Sequence, residues 1–433
     1  MGKKNTILSN AQDAISKYDI TPGDFNEAEL LKLMWRAEEL DDSRHRSYVR
    51  HRIGDIVVIA FLAILSGSNE WEQIGTFAKK KEVWLKRFLV LDNGIPSTDC
   101  IQRVMSMLDT SLLFRLYMEF LLEKVRAYAE LTRHDNPLKT PEKDIISIDG
   151  KTTKGSAGQD TGNGKTKALH TLNAYSHSIG VCIGQQFIPE KTNEITATKD
   201  ILEILDVKDT IVTWDALNTQ KENVAQVIAQ KGDYVVALKA NHARLSDEVK
   251  DYFDDEGLLK DNPEVSRYEY TEKEHNAVIT REYILSTEIG WIYDNKAWKG
   301  LAAIGCVKKT IKPLKGEESL ETRYYLCSIK DVKLFAKSAR CHWGVENSLH
   351  FQLDFTFKDD KNKTRDKKSV QNLQIMKKIA LALLKLVQPM YKKSMQLIRY
   401  DIALDFENEM EKIFTVLNVE TVEKQLRETG KVK

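Results

Sequence analysis

Cysteine is scarce. The chain has five (Cys100, Cys182, Cys306, Cys327 and Cys341), an odd number, scattered, with no two in a CxxC pair. That argues against a disulfide-held secreted fold and fits a reducing cytoplasm. An excess of either charge is missing too. Lys+Arg number 65 against Asp+Glu 64, a net of +1, so the total neither favours nor excludes a polyanionic partner, and local charge must decide. Long apolar runs are absent. The longest, "IVVIAFLAIL" at 56–65, is about half of what spans a bilayer and is expected to be a buried helix. The opening "MGKKNTILSN" has no apolar signal core. There is no tandem repeat and no long low-complexity segment.

What remains is a 433-residue chain, 42% hydrophobic and 30% charged, with enough apolar content for two or three domains under a heavily solvated surface. Residues 1–25 are polar and expected to be loose. Over 26–136 the periodicity is helical, as in "AELLKLMWRAEEL" and "TSLLFRLYMEFLLEKVRAYAEL", with Ser97 as a helix cap in "NGIPSTDCIQRVMSML". "RHDNPLKTPEKD" reads as a linker. The texture then changes. "DIISIDG" is a short apolar strand, and "ALHTLNAYS" and "GVCIGQQFIPE" form a hairpin through 177–180. Next come helix "ITATKDILEILD", strand "DTIVTWDA", helix "TQKENVAQVIAQKG" and strand "DYVVALK". Three strands followed by β/α alternation, over 137–262, predict an α/β mixed sheet with helices on its faces. Residues 263–328 read as a β-rich insertion. Residues 329–400 return to helix and become basic, and 401–433 form a more acidic tail.

The stretch "GQDTGNGKTK" tempts a phosphate-loop reading. Gly158 is followed by five residues before Gly164-Lys165-Thr166, where four are needed. A strand, not a helix, follows. A hairpin loop is the better reading, and ATP binding is not expected.

Three carboxylates carry more. Asp149 is expected at the end of the first strand, Asp215 near the end of another, and Glu346 in the helix "ARCHWGVENSLH". Neighbouring strands lie about 4.8 Å apart, so carboxylates at their ends can converge. A third from a packed helix would complete a hard oxygen cage suited to Mg²⁺ or Mn²⁺. Two such ions would activate a nucleophile and stabilise a leaving oxygen on a phosphodiester. Taken singly, each has a bland reading: a turn, a helix cap, a solvated helix residue. His342, Glu346 and His350 share one helix face at i, i+4, i+8. The two histidines are about 12 Å apart along the axis and cannot grip one ion together; they are expected to touch phosphate or neighbours. Trp343, Leu349 and Leu353 are expected to pack.

"SIDGKTTKGS", "KTNEITA", "IVTWDALNTQK", "GDYVVALKANH" and "HWGVENSLHFQLDFTFKDD", in that order, resemble the ISAs-type insertion-sequence transposases, also called H-repeat-associated proteins. "DDSRHRSYVRHRIGDIVVIAFLAILSGSNEWEQIGTFAKKKEVWL" and "NGIPSTDCIQRV" resemble the helical domain that accompanies them. The resemblance runs from about residue 40 to 385. It implies a DDE transposase with a ribonuclease-H-like core, in which Asp149, Asp215 and Glu346 hold two Mg²⁺, with Mn²⁺ as the alternative. The wider group's Tyr-Arg-Glu-Lys signature is altered: His342 holds the arginine position and Leu353 the lysine position. Asn218 and Ala240 stand where glycine is usual.

The resemblance implies cutting of the element's ends and joining of the freed 3′-OH to target DNA. It also implies double-stranded DNA as partner, a homodimer when paired on DNA, and a nucleoid-associated cytoplasmic location without membrane contact. Two alternatives stay open: an inactive, transposase-derived DNA-binding protein, and a metal-dependent nuclease without strand transfer. Candidate DNA contacts are Lys151, Lys154, Lys191, Lys239, Arg340, His342, His350 and Lys358. Residues 358–400 carry twelve basic and three acidic side chains, a local net of +9, expected to neutralise phosphates. Arg44, His45, Arg46, Arg50, His51 and Arg52 form a second basic cluster.

Overall fold

The computed structural model describes residues 6–18, 25–131, 143–158, 167–188, 194–274 and 276–432. The expected linker, Lys191 and the glycine-rich loop with Lys165 lie mostly or wholly outside them. Among the described residues nine strands form one sheet: β1 (Ile145–Thr153), β2 (Leu169–Ser176), β3 (Val181–Ile188), β4 (Ile211–Trp214), β5 (Asp233–Leu238), β6 (Val265–Glu274), β7 (Ala277–Ser286), β8 (Ala303–Pro313) and β9 (Ser319–Cys327). Their order is β3-β2-β1-β4-β5-β9-β8-β7-β6. The pairs β1–β4 and β4–β5 are parallel, and the rest are antiparallel. The strand and helix order expected for the mixed α/β sheet is observed. Gly180, at φ +75°, supplies the left-handed residue that closes the β2–β3 hairpin.

The central strands are apolar because both faces are covered. Ile146, Ile148, Val212 and Trp214 point to one side, where they meet Ala197, Ile201, Leu202, Val224 and Val227 from the helices Glu194–Ile204 and Lys221–Ala229. Ile145 and Ile211 point to the other, where Phe335, Ala336 and Ala339 of the helix Val332–Val345 cover them. A strand alternates its side chains, so Asp149 and Asp215 share the face of Ile145 and Ile211. They face the helix that leads into Glu346.

The strands of the 263–328 insertion do not stand apart. β9 pairs with β5, with Val235 opposite Cys327, so β6–β9 extend the central sheet.

The helical part is one core. All of Ile53–Leu65 is buried, as its unbroken apolar run requires. The helix Lys367–Tyr391 is buried from Ser369 to Val387 on nearly every side. It packs against Ile7–Lys17, Ile53–Leu65, Thr98–Met107 and Thr110–Leu131. Residues expected to be loose at the N-terminus therefore include a helix, Ile7–Lys17, started by a Thr6/Ser9 capping box. The tail expected over 401–433 holds the end of the helix Met395–Leu404 and the helices Phe406–Leu417 and Val419–Glu428, whose apolar residues join the same core. Among the described residues no helix is long and apolar enough to cross a membrane.

Candidate active site

The site begins with strand register. The parallel pairing of β1 and β4 ends at Ile148 opposite Trp214, so the next residues, Asp149 and Asp215, are neighbours. β4 stops there and turns away through Ala216–Asn218. β1 does not stop. It continues to Thr153 on β2, with Asp149 opposite Asn173. Asp149 is thus a mid-strand residue, not the strand-end residue expected, because antiparallel pairing on one side outlasts parallel pairing on the other.

Glu346 arrives from the helix Val332–Val345, which Asp331 caps by accepting from the Leu334 N–H. The helix widens into a π turn at Glu346–His350 before resuming as Phe351–Phe355. Such turns recur where a helix must re-aim side chains at a functional site. Leu349 and Leu353 are buried, as expected. Trp343 is only half-buried and lies under the Arg323 guanidinium, 3.8 Å from ring centre to Cζ.

The two histidines serve different aspartates. His342 donates from Nε2 to Asp215 Oδ1 at 3.3 Å, and His350 Nδ1 stands 3.4 Å from Asp149 Oδ2. Asp149 is mostly buried, and that burial pushes its carboxyl up to about 6; the nearby His342 opposes this, and Asp215 and Glu346 add to it. Asp215 is open to solvent. The His342 hydrogen bond, with Lys239 and Arg323 farther out, holds it below the usual carboxylate range. Burial, helped by Lys151 and Lys378, pushes His350 down to about 3, so this imidazole is neutral. Glu346 is exposed, and its carboxylate makes no hydrogen bond or ion pair among the described residues, although its backbone carbonyl accepts from the Phe351 N–H. Among the described residues, no three His, Cys, Asp or Glu side chains stand close enough to hold a metal ion. The expected three-carboxylate cage is therefore not closed here: Asp149 and Asp215 follow the last paired residues of β1 and β4, and Glu346 is near enough to repel Asp149.

Other groups had no signal in the sequence. The Thr213 hydroxyl donates to Ser147 Oγ at 3.0 Å and lies 3.3 Å from His342 Nδ1. Ser147 in turn meets His177 Nε2 at 2.8 Å. These hydroxyls share the sheet face of the aspartates and tie the helix to the sheet. Asn218 and Ala240 both keep negative φ, so the missing glycines cost no strain here.

The candidate DNA contacts divide. Lys239 is exposed and near enough to act on Asp215, Lys154 is exposed 3.6 Å from Asp360, and Arg340 is half exposed beside Glu272. Lys358 lies partly buried over the Phe355 ring at 5.2 Å. Lys151 is buried and bound to Asp354 at 2.5 Å and Asp360 at 3.3 Å, so it is a structural ion-pair partner rather than an open cation. The basic stretch also splits. Lys377, Lys378 and Arg399 point inward, while Lys361, Lys363, Lys367 and Lys368 remain exposed. A count of charges cannot tell a solvated face from a buried network.

Residues 140–383 match the family model of the transposase DDE domain, and residues 36–121 match the model described as DDE_Tnp_1-associated. The chain belongs to the DDE transposase family, a class of polynucleotidyl-transferase-type enzymes. It is 33% identical over 352 residues to "Putative transposase YncI" of Escherichia coli O157:H7, covering 80% of this chain and 85% of that one. It is 32% identical over 362 residues to "H repeat-associated putative transposase YhhI" of Escherichia coli strain K12, covering 82% and 91%. A solved piggyBac transposase synaptic complex with hairpin DNA aligns over 98% of this chain and 82% of that one, with a TM-score of 0.38 and 12% identity, too slight a likeness to build on.

Proposed function

We propose that the chain moves an insertion sequence: it cuts the element's ends and joins the freed 3′-OH to target DNA. Asp149, Asp215 and Glu346 are its acidic triad, and β1–β5 are a ribonuclease-H-like platform. One observation carries the reading. The β1–β4 register sets Asp149 beside Asp215 on the face of the helix bearing Glu346, and the three are close enough to shift the Asp149 carboxyl.

The donor set fits Mg²⁺, with Mn²⁺ as the alternative: hard carboxylate oxygens, no thiolate, and a glutamate with no bond to break before it can swing inward. When bound, two such ions would polarise the phosphodiester and lower the cost of forming the attacking oxygen. The rest falls to the chain. Asp149 and Asp215 concentrate negative charge in a site where one of them already resists ionising alone. His342 fixes the orientation of Asp215 through its Nε2 hydrogen bond. The exposed Lys154 and Lys239, with Arg340, neutralise backbone phosphates and hold the strand in line. Lys191 belongs with them by its place in the sequence. Bringing two ends together calls for at least two copies on DNA.

The test is cleavage of a duplex carrying the element's end in the presence of Mg²⁺. Asp149→Asn and Glu346→Gln proteins should give no 3′-OH product, and full nicking by either refutes the triad. A pre-cut end then separates the alternatives. Joined product supports the transposase; hydrolysis alone points to a nuclease; strong binding with neither points to an inactive DNA-binding protein.

A further inference from the structure

Lys378 is buried on the helix Lys367–Tyr391, and its two hydrogen-bond partners are both amides. Its Nζ donates to Asn173 Oδ1 and, at 2.7 Å, to Gln185 Oε1. Burial lowers the proton affinity of this amine, but charged or neutral it keeps at least two N–H donors, and both are spent on amide oxygens, so Asn173 turns its oxygen toward it. The other end of the amide then points away. Asn173 Nδ2 donates to the Thr171 carbonyl at 3.2 Å and stands 3.4 Å from His350 Nε2. An amide NH₂ can only donate, so Nε2 must be the bare nitrogen of the ring. The single hydrogen of the neutral imidazole is then on Nδ1, which stands 3.4 Å from Asp149 Oδ2. The opposite tautomer would set an N–H against the amide NH₂ and a lone pair against a carboxylate.

We propose that Lys378 is a positioning residue: acting through Asn173, it holds His350 as the Nδ1–H tautomer and so keeps a neutral donor against Asp149. Four residues on four elements, β1, β2 and the two helical segments that cover them, form one chain of fixed hydrogen-bond direction. A neutral N–H steadies the Asp149 carboxylate without cancelling its charge, whereas an imidazolium there would repel an incoming divalent ion. Only this consequence rests on reading Asp149 as an ion-binding carboxylate. The tautomer itself is a property of the free protein, measured without DNA or metal.

The experiment is long-range ¹H–¹⁵N correlation on the full chain labelled with ¹⁵N-histidine, which has nine histidines. The His350 signals are assigned by their loss in His350→Gln. In the wild type, Nδ1 should carry the proton and Nε2 should be bare. Asn173→Asp keeps the size of the side chain and the bond to Lys378 but replaces the donor facing Nε2 with an acceptor. His350 Nε2 should then become protonated. Lys378→Met frees the amide to turn over, and both tautomers should be present. In that variant Mn²⁺ affinity should fall roughly tenfold, the usual loss when the support of a metal ligand is removed. A wild-type His350 protonated on Nε2, or an Asn173→Asp protein whose Nε2 stays bare, overturns the relay. An unmixed Nδ1–H tautomer in Lys378→Met removes Lys378 from it, and mixed tautomers with unchanged Mn²⁺ affinity overturn the link from the relay to ion binding. If Lys378→Met does not fold, Asn173→Asp still decides the direction of the chain. A protein that shows these tautomers yet cuts no DNA keeps the relay and loses the catalytic reading.

Discussion

Asp149 is the residue on which the site turns, and its environment makes a measurable demand. Burial first, then repulsion from Asp215 and Glu346, raises its carboxyl to about 6. Unfolded, an aspartate titrates near 3.9. Between those values the folded chain binds a proton that the unfolded chain has given up, so stability falls as pH rises through about 4 to 6 and stays lowered above. Two pKa units amount to about 3 kcal/mol at most. Asp149→Asn cannot ionise. It should therefore unfold at higher urea than the parent at pH 7.5 in metal-free buffer, with the gap closing near pH 4. A variant no more stable than the parent at pH 7.5 contradicts the account. Asp149 and Asp215 stood out in the sequence because a carboxylate after an apolar strand run is conspicuous, whereas Glu346, on a helix, was marked only by the motif around it. The partners of His342 and His350 were not. Spacing along a helix gives a shared face, but not which strand residue lies opposite.

Among the elements, the strands were legible by alternation and the helix Ile53–Leu65 by its unbroken apolar run. The attachment of β9 to β5 was hidden, since pairing between strands far apart in sequence leaves no local trace. The helix Lys367–Tyr391 was misjudged more deeply. Its lysines read as DNA-facing, yet Lys377 is fully buried with its Nζ on Asp359 Oδ1 at 3.2 Å. Asp359 also takes hydrogen bonds from Gln374 at 3.1 Å and Thr153 at 3.2 Å, and lies 3.8 Å from the Lys151 ammonium. Burial alone would raise the Asp359 carboxyl, but Lys377 and Lys151 hold it below the usual range. This knot pins the 359–362 turn to β1, farther along the strand on the face that carries Asp149. Breaking a buried pair by removing one partner leaves the other charge stranded, at a cost of roughly 3–5 kcal/mol. Asp359→Ala should lose about that much stability in urea unfolding, while removing the exposed Lys393–Asp401 pair should change little. Equal effects from the two would show that the knot carries no special weight.

On the scale of the whole molecule, the chain is organised around one long sheet and one helical core. The helix Lys367–Tyr391 belongs to the helical core and also reaches the β1–β3 side through Lys378, Lys385 and Gln374. The three acidic residues come from segments almost 200 positions apart in the sequence, and only this packing brings them to one sheet face. Binding of Mn²⁺ decides whether they work as a unit. Titrated into the full-length protein without DNA, Mn²⁺ should bind the wild type, and Asp149→Asn, Asp215→Asn and Glu346→Gln should each weaken binding roughly tenfold or more. Wild-type affinity in all three variants would contradict a shared ion site, and with it the proposed chemistry.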